Sequence, residues 1–233
     1  MDTLDVIVRF IQNGGIFMYP IMVTLALGIA IAIERYIYLG LVRSRNRTAW
    51  VHIQPLMLQG KIKSTVEYVR SSNAHLSKML VYALAHLMAG RRADDVERML
   101  EEGLMEIIPR LERRTPYLAT FANIATLLGL LGTILGLIAA FSAVANADPA
   151  EKANLLSSSI SVAMNTTAFG LIAAIPLLLL HAMISTKTSD IIDSMDMATV
   201  KLTNLIQINK GGDAMLKAID DETPTPVTLE PGS

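Results

Sequence analysis

The side chains best placed for chemistry in this 233-residue chain are hydroxyls and an amide set inside long apolar runs. In the run Tyr117–Ala145, which carries no charge, Thr126 and Thr133 stand seven residues apart and so share a helix face, two turns from one another. In the run Asn154–Ser185, Ser158, Ser161 and Asn165 follow helical spacing, and Thr166 and Thr167 come next. A single threonine or serine in an apolar helix can return its hydrogen bond to its own i−4 carbonyl and have no further role. An asparagine beside two threonines, with hydroxyls on the neighbouring run, argues for more. A polar face in hydrocarbon needs a partner helix or water. No Asp, Glu, Lys or Arg lies in either run. If ions move along these hydroxyls, the titrating carboxylate must therefore come from another chain.

Other chemistries find little support. His52, His75, His86 and His181 do not form a ligand set, and His75 and His86 sit on a segment that can point them toward water. No metal or cofactor is expected. No glycine-rich phosphate loop, Ser/His/Asp arrangement or clustered carboxylate pair occurs near the apolar runs, so an enzyme is not expected either. A net charge of −1 gives no basic field for nucleic acid. The chain has no cysteine, which excludes disulfides and thiolate metal sites.

The elements that must position the hydroxyls are membrane helices. Hydrophobic residues make up 52% of the chain and aromatics 5%, and the apolar residues come in blocks. About 20 apolar residues cross a bilayer. Gly15–Ile33 forms the core of a first span, closed by Glu34, Arg35 and the interfacial pair Tyr36 and Tyr38. The two uncharged runs are the second and third, and His181 is the only ionisable group of the last. Lys and Arg near the span ends set the orientation. Arg43, Arg45 and Arg47 follow the first span, and Arg110, Arg113 and Arg114 precede the second; these six are expected against inner-leaflet lipid. The connector between spans two and three holds only Lys152, beside Asp148 and Glu151. The N-terminus is thus expected outside and the C-terminus inside. Asp2 and Asp5 argue against a cleaved signal peptide.

The expected organisation is all-α, with three transmembrane helices and helices two and three prolonged into a cytoplasmic bundle. Residues 1–14 are periplasmic, 15–40 the first span, 41–116 a cytoplasmic helical region and 117–145 the second span. A periplasmic loop over 146–153 leads into the third span, 154–186, and a cytoplasmic helix, 187–219. The tail 220–233, with three prolines, is expected to be disordered. Ile62–Met88 reads as helical, and Val96, Met99, Leu100, Leu104, Ile107, Ile108 and Leu111 form one apolar stripe. Pro109 and Pro116 are expected to bend that helix on its way into the second span. A later stripe runs from Ile191 through Met195, Ala198 and Leu202 to Ile206. Within the spans, Gly129, Gly132 and Gly136, and then Gly170 with Ala174, are small residues at packing intervals, and Pro176 marks a kink.

The run Leu118–Ile138, containing Gly129-Leu-Leu-Gly132-Thr133-Ile-Leu-Gly136, resembles the second-span signature of the ExbB and TolQ proteins, in the MotA/TolQ/ExbB proton-channel family. Thr166-Thr167-Ala168-Phe169-Gly170-Leu171-Ile172-Ala173-Ala174-Ile175-Pro176 resembles their third-span signature. Three spans and a long segment after the first match as well, whereas MotA-type stators have four. The resemblance implies a homopentamer in the inner membrane whose second and third spans line a central pore. Single-span helices of an ExbD/TolR-like partner would sit in that pore and supply an ionisable aspartate. A TonB-like protein would carry the energy to outer-membrane import. Thr133 and Thr167 fall on the family's pore-facing threonines, and Thr126, Ser161, Asn165 and Thr166 would extend the ion path. Two positions depart from the pattern. Val162 stands where a glutamate is common, and Thr126 where many members have proline. The driving ion, proton or sodium, stays open. A TolQ-like role in envelope integrity is the nearest alternative, and a non-conducting membrane scaffold is a third.

Overall fold

A computed structural model describes residues 14–89, 93–145 and 147–221. All regular structure among them is helical: α1 Met18–Leu58, α2 Ile62–Ser71, α3 His75–Met88, α4 Ala93–Glu112, α5 Thr115–Ala145 and α6 Lys152–Asp221. Three helical stretches, within Met18–Leu58, Asp95–Ala145 and Lys152–Ile208, are long and apolar enough to cross a membrane. The expected periplasmic N-terminus lies outside the described residues, apart from Gly14. So does the expected tail, apart from residues 220 and 221, which close α6.

Two compact units make up the described chain, one of residues up to Leu41 together with Arg110–Asp190, the other of Val42–Pro109 together with the residues from Ile191 onward. In the first, the core is built from small and medium side chains: Ile21 from α1, Ala122 and Ala125 from α5, and Ala173, Ala174 and Leu177 from α6. Leu25, Phe121, Leu128 and Phe169 close around it. Alanines at these positions let the helix backbones approach, which matters where lipid removes the usual drive to bury apolar surface. The outer faces are apolar too. Val23 and Leu27 on α1, Leu127, Leu131, Ile134 and Ile138 on α5, and Ile172, Ile175 and Leu179 on α6 are all exposed. A single chain with such a surface belongs in lipid or against further membrane helices.

The second unit buries Ile53 and Met57 of α1, Leu76, Met79, Leu80 and Leu84 of α3, Leu100 of α4 and Met195 and Leu202 of α6. The Asn46 side-chain carbonyl accepts a bond from the backbone N–H of Leu76 at 3.2 Å, satisfying a donor in the first turn of α3. The helical segment expected over 62–88 is in fact two helices. Ser72 is extended (φ −88°, ψ 133°), and its hydroxyl accepts the N–H of Ala74 at 3.3 Å, a local bond that competes with the helix.

The junction between α4 and α5 also differs from expectation. Pro109 lies inside α4 and Pro116 in the first turn of α5, and the chain breaks between them at Arg113 and Arg114. Arg114 takes φ +67°, the left-handed conformation that ends many helices and usually belongs to glycine. Pro116 suits the first turn of α5 because its missing N–H would have had no intrahelical partner there. Pro176 lies inside α6, which continues through it as one helix.

Candidate functional site

Helices α5 and α6 touch through their glycines. A Cβ on Gly170 would stand 2.8 Å from the carbonyl oxygen of Ala125 and 3.0 Å from the Cα of Gly129. A Cβ on Gly129 would meet the Gly170 Cα at 3.2 Å and the Thr167 Cα at 3.3 Å. Gly136 faces Ala163, and Gly132 faces the buried methyl of Thr166. The two helices therefore share a seam in which backbone lies on backbone. Gly28 adds α1 to this assembly, against Leu177.

That closeness brings two hydroxyls together. The Thr167 hydroxyl donates across the seam to the Gly129 carbonyl at 2.9 Å, and its oxygen lies 3.3 Å from that of Thr133. The Thr133 hydroxyl donates to the Leu130 carbonyl of its own helix at 2.6 Å. Each residue is half-buried. With both hydrogens directed at backbone carbonyls, the pair presents lone pairs and acts as an acceptor. Such a pair can receive a proton donor, such as a protonated carboxyl, or coordinate a cation. It cannot itself titrate near neutral pH.

The other polar residues of these spans divide differently. Thr126 is exposed and returns its hydroxyl to Ala122, the i−4 carbonyl, at 3.1 Å. Thr166 is buried and reaches the Gly14 carbonyl at 2.6 Å, tying the segment before α1 to α6, with its own Val162 carbonyl at 3.0 Å. Ser161 is exposed and Asn165 half-buried. Asn165 lies two residues from Thr167, roughly 200° around the helix, so Asn165 and Ser161 occupy another face of α6. Ala174 is buried in the core and Pro176 exposed. Val162 packs beside Gly15.

Arg43, Arg45, Arg47, Arg110 and Arg113 are exposed. Arg114 is engaged: its guanidinium reaches both carboxylate oxygens of Glu34 at 2.6 Å. Arg35, at the close of the first apolar run, is buried. Its guanidinium donates to the Leu111 carbonyl in the last turn of α4 and lies 5.1 Å from the centre of the Tyr38 ring. The final carbonyls of a helix favour a cation. The signal available in the sequence was a lone arginine just inside an interfacial tyrosine pair.

Comparison with known proteins follows the same lines. Residues 71–197 match the model of the MotA/TolQ/ExbB proton channel family. A putative biopolymer transport protein ExbB homolog of Methanothermobacter thermautotrophicus is 29% identical over 201 residues, covering 85% of this chain and 69% of that one. A putative biopolymer transport protein ExbB-like 3 of Synechocystis is 27% identical, over 71% of this chain and 79% of its own. The Tol-Pal system protein TolQ of Haemophilus influenzae is 37% identical over 84 residues, 36% of each chain.

Proposed function

The chain belongs to the MotA/TolQ/ExbB proton channel family, and on that premise we propose that it is the ExbB-like channel subunit of an ion-driven motor in an inner membrane. Five copies form a ring with α5 and α6 around a central pore, the N-terminus periplasmic and the C-terminus cytoplasmic. The six arginines near the span ends face inner-leaflet lipid. An ExbD/TolR-like single-span partner occupies the pore and brings the carboxylate. A TonB-like protein takes the resulting motion to outer-membrane transport.

One observation carries this reading: the acceptor pair Thr133 and Thr167, 3.3 Å apart on a seam between two spans that hold no Asp, Glu, Lys or Arg. A protonated partner carboxyl can donate to this pair, and a deprotonated one cannot. Loading and unloading the proton therefore changes how well the partner fits the wall, which biases its movement in the ring. A sodium ion held between the pair and the carboxylate would act in the same sense.

The test is iron-siderophore uptake in cells lacking their native subunit, complemented with wild type or with Thr133→Val and Thr167→Val, with proton and sodium gradients collapsed separately. Losing a hydrogen bond from a neutral carboxyl is worth about 0.5–1.5 kcal/mol, or roughly twofold to tenfold. Uptake should fall by that order while the protein still assembles, and it should depend on one gradient. Unchanged uptake in both variants would remove the pair from the mechanism. The similarity to TolQ over 84 residues favours a second reading, a motor for envelope integrity. Uptake indifferent to this protein, with detergent sensitivity on its deletion, would select it.

A further inference from the structure

The second unit holds a pocket of about 320 Å³ whose walls come from α1, α3 and α6. Arg43, Asn46, Arg47 and Trp50 line it from α1, one helix face at intervals of three and four. Leu76 of α3 and Met195 and Ala198 of α6, all buried, give it an apolar wall beside Ser194. The volume is at the lower end of what small ligands occupy.

The groups with unmet capacity around this space are donors. Among the described residues, Arg43 and Arg47 make no ion pair or hydrogen bond, and the indole N–H of Trp50, which can only donate, has no partner either. The Asn46 carbonyl is taken by the Leu76 N–H at 3.2 Å, and the Ser194 hydroxyl donates to the Ile191 carbonyl at 2.8 Å. Arg43 and Arg47 are also like charges one turn apart, a repulsion that an anion between them relieves. The neighbouring walls bring no acid to oppose them. α1 carries no Asp or Glu beyond Glu34, and α3 carries none. On α6, the exposed Asp193 and Asp196 project roughly 150° from the face that Ser194, Met195 and Ala198 present, while Lys201 is closer, at roughly 70°. Asp190 stands one turn nearer the span, roughly 90° from that face.

We propose that this pocket binds a phosphate ester. The Arg43 and Arg47 guanidiniums hold the phosphate oxygens, the Trp50 N–H adds a third donor, and the apolar wall receives the rest of the molecule. Guanidiniums match phosphate oxygens in geometry as well as in charge. Two sources share this chemistry, a soluble phosphate ester and the headgroup of an anionic lipid. The site gives a defined ligand to two of the arginines assigned above to the lipid surface, and its binding does not rest on the motor reading.

Trp50 is the only tryptophan of the chain, so its emission reports on this pocket alone. The test uses the purified full-length protein in maltoside micelles, which contain no phosphate. In one arm, glycerol 3-phosphate replaces chloride at constant ionic strength. In the other, the micelles are doped with phosphatidylglycerol, with uncharged dioleoylglycerol as the control. A saturable change in emission, with a rise in melting temperature, is expected. A response in the first arm identifies a soluble ester, and one confined to the second identifies a lipid headgroup. Apparent affinity should weaken at least tenfold in Arg43→Gln and in Arg47→Gln. It should stay near wild type in Arg45→Gln, whose side chain leaves α1 roughly 150° from the pocket. All three arginines are exposed, so the variants should fold. The proposal is overturned if neither arm moves emission or melting, or if Arg43→Gln and Arg47→Gln bind as wild type does. Equal weakening in Arg45→Gln would overturn it as well, since that is the mark of general surface charge.

Discussion

Gly170→Ala is the sharpest perturbation of the seam between α5 and α6. The added methyl would stand 2.8 Å from the Ala125 carbonyl oxygen and 3.0 Å from the Gly129 Cα, and both are backbone atoms that no rotamer change can move. Restoring ordinary contact requires the helices to part by about 0.6 Å. The Thr167 hydroxyl, 2.9 Å from the Gly129 carbonyl, would then lie at about 3.5 Å, beyond hydrogen-bonding range. The oxygens of Thr133 and Thr167 would separate in step. Overpacking of this kind costs about 1–3 kcal/mol, and the lost interhelical bond about 0.6 kcal/mol more. The protein should still insert, denature at lower temperature in detergent, and lose most gradient-driven uptake. Gly28→Ala is the control, because the nearest atoms its methyl meets belong to the Leu177 side chain and not to backbone. That side chain can shift its χ angles at a cost of about 1 kcal/mol. If Gly170→Ala matched wild type in both denaturation and uptake, the backbone contact and the function built on it would be wrong.

Two further outcomes follow from other contacts. Arg114→Gly relieves a left-handed residue, worth about 1 kcal/mol, and loses an exposed bridge to Glu34, worth about 0.2–1 kcal/mol. The melting temperature in detergent should therefore stay near wild type, while Arg114→Ala, which keeps the strained φ and loses the bridge, should melt lower. Asn46→Ala leaves the Leu76 N–H without its buried acceptor and should destabilise the second unit by about 1–2 kcal/mol, read as faster hydrogen exchange in α3.

The spans were legible because uninterrupted apolar length is a strong signal. The continuation of the first helix to Leu58 was not foreseen, since Arg43, Ser44, Arg45, Asn46 and Arg47 break the apolar run. A signal was nevertheless present. Leu39, Val42, Asn46, Ala49, Ile53 and Met57 are all buried and recur at intervals of three and four, a helical stripe with one polar member. Small residues at packing intervals are legible in the sequence, but sequence cannot say which glycine meets which. The pairing of Thr133 with Thr167 depends on that register. Asn165 and Thr167 were grouped by nearness along the chain, although two residues are more than half a turn of helix.

On the proposed reading, the division of labour among the hydroxyls lets a channel wall work without an acid of its own. Thr126 answers its own helix, and Thr166 fastens the segment before α1. Thr133 and Thr167 also direct their hydrogens at carbonyls, but across or beside a seam too tight for any side chain larger than hydrogen. The glycines therefore do more than let helices approach. They hold two oxygens at one height with their lone pairs available, and a neutral acceptor held in place can distinguish a protonated carboxyl from a charged one. On the proposed reading that discrimination requires a carboxylate from the partner, and the wall would reward its protonated form without ever changing its own charge.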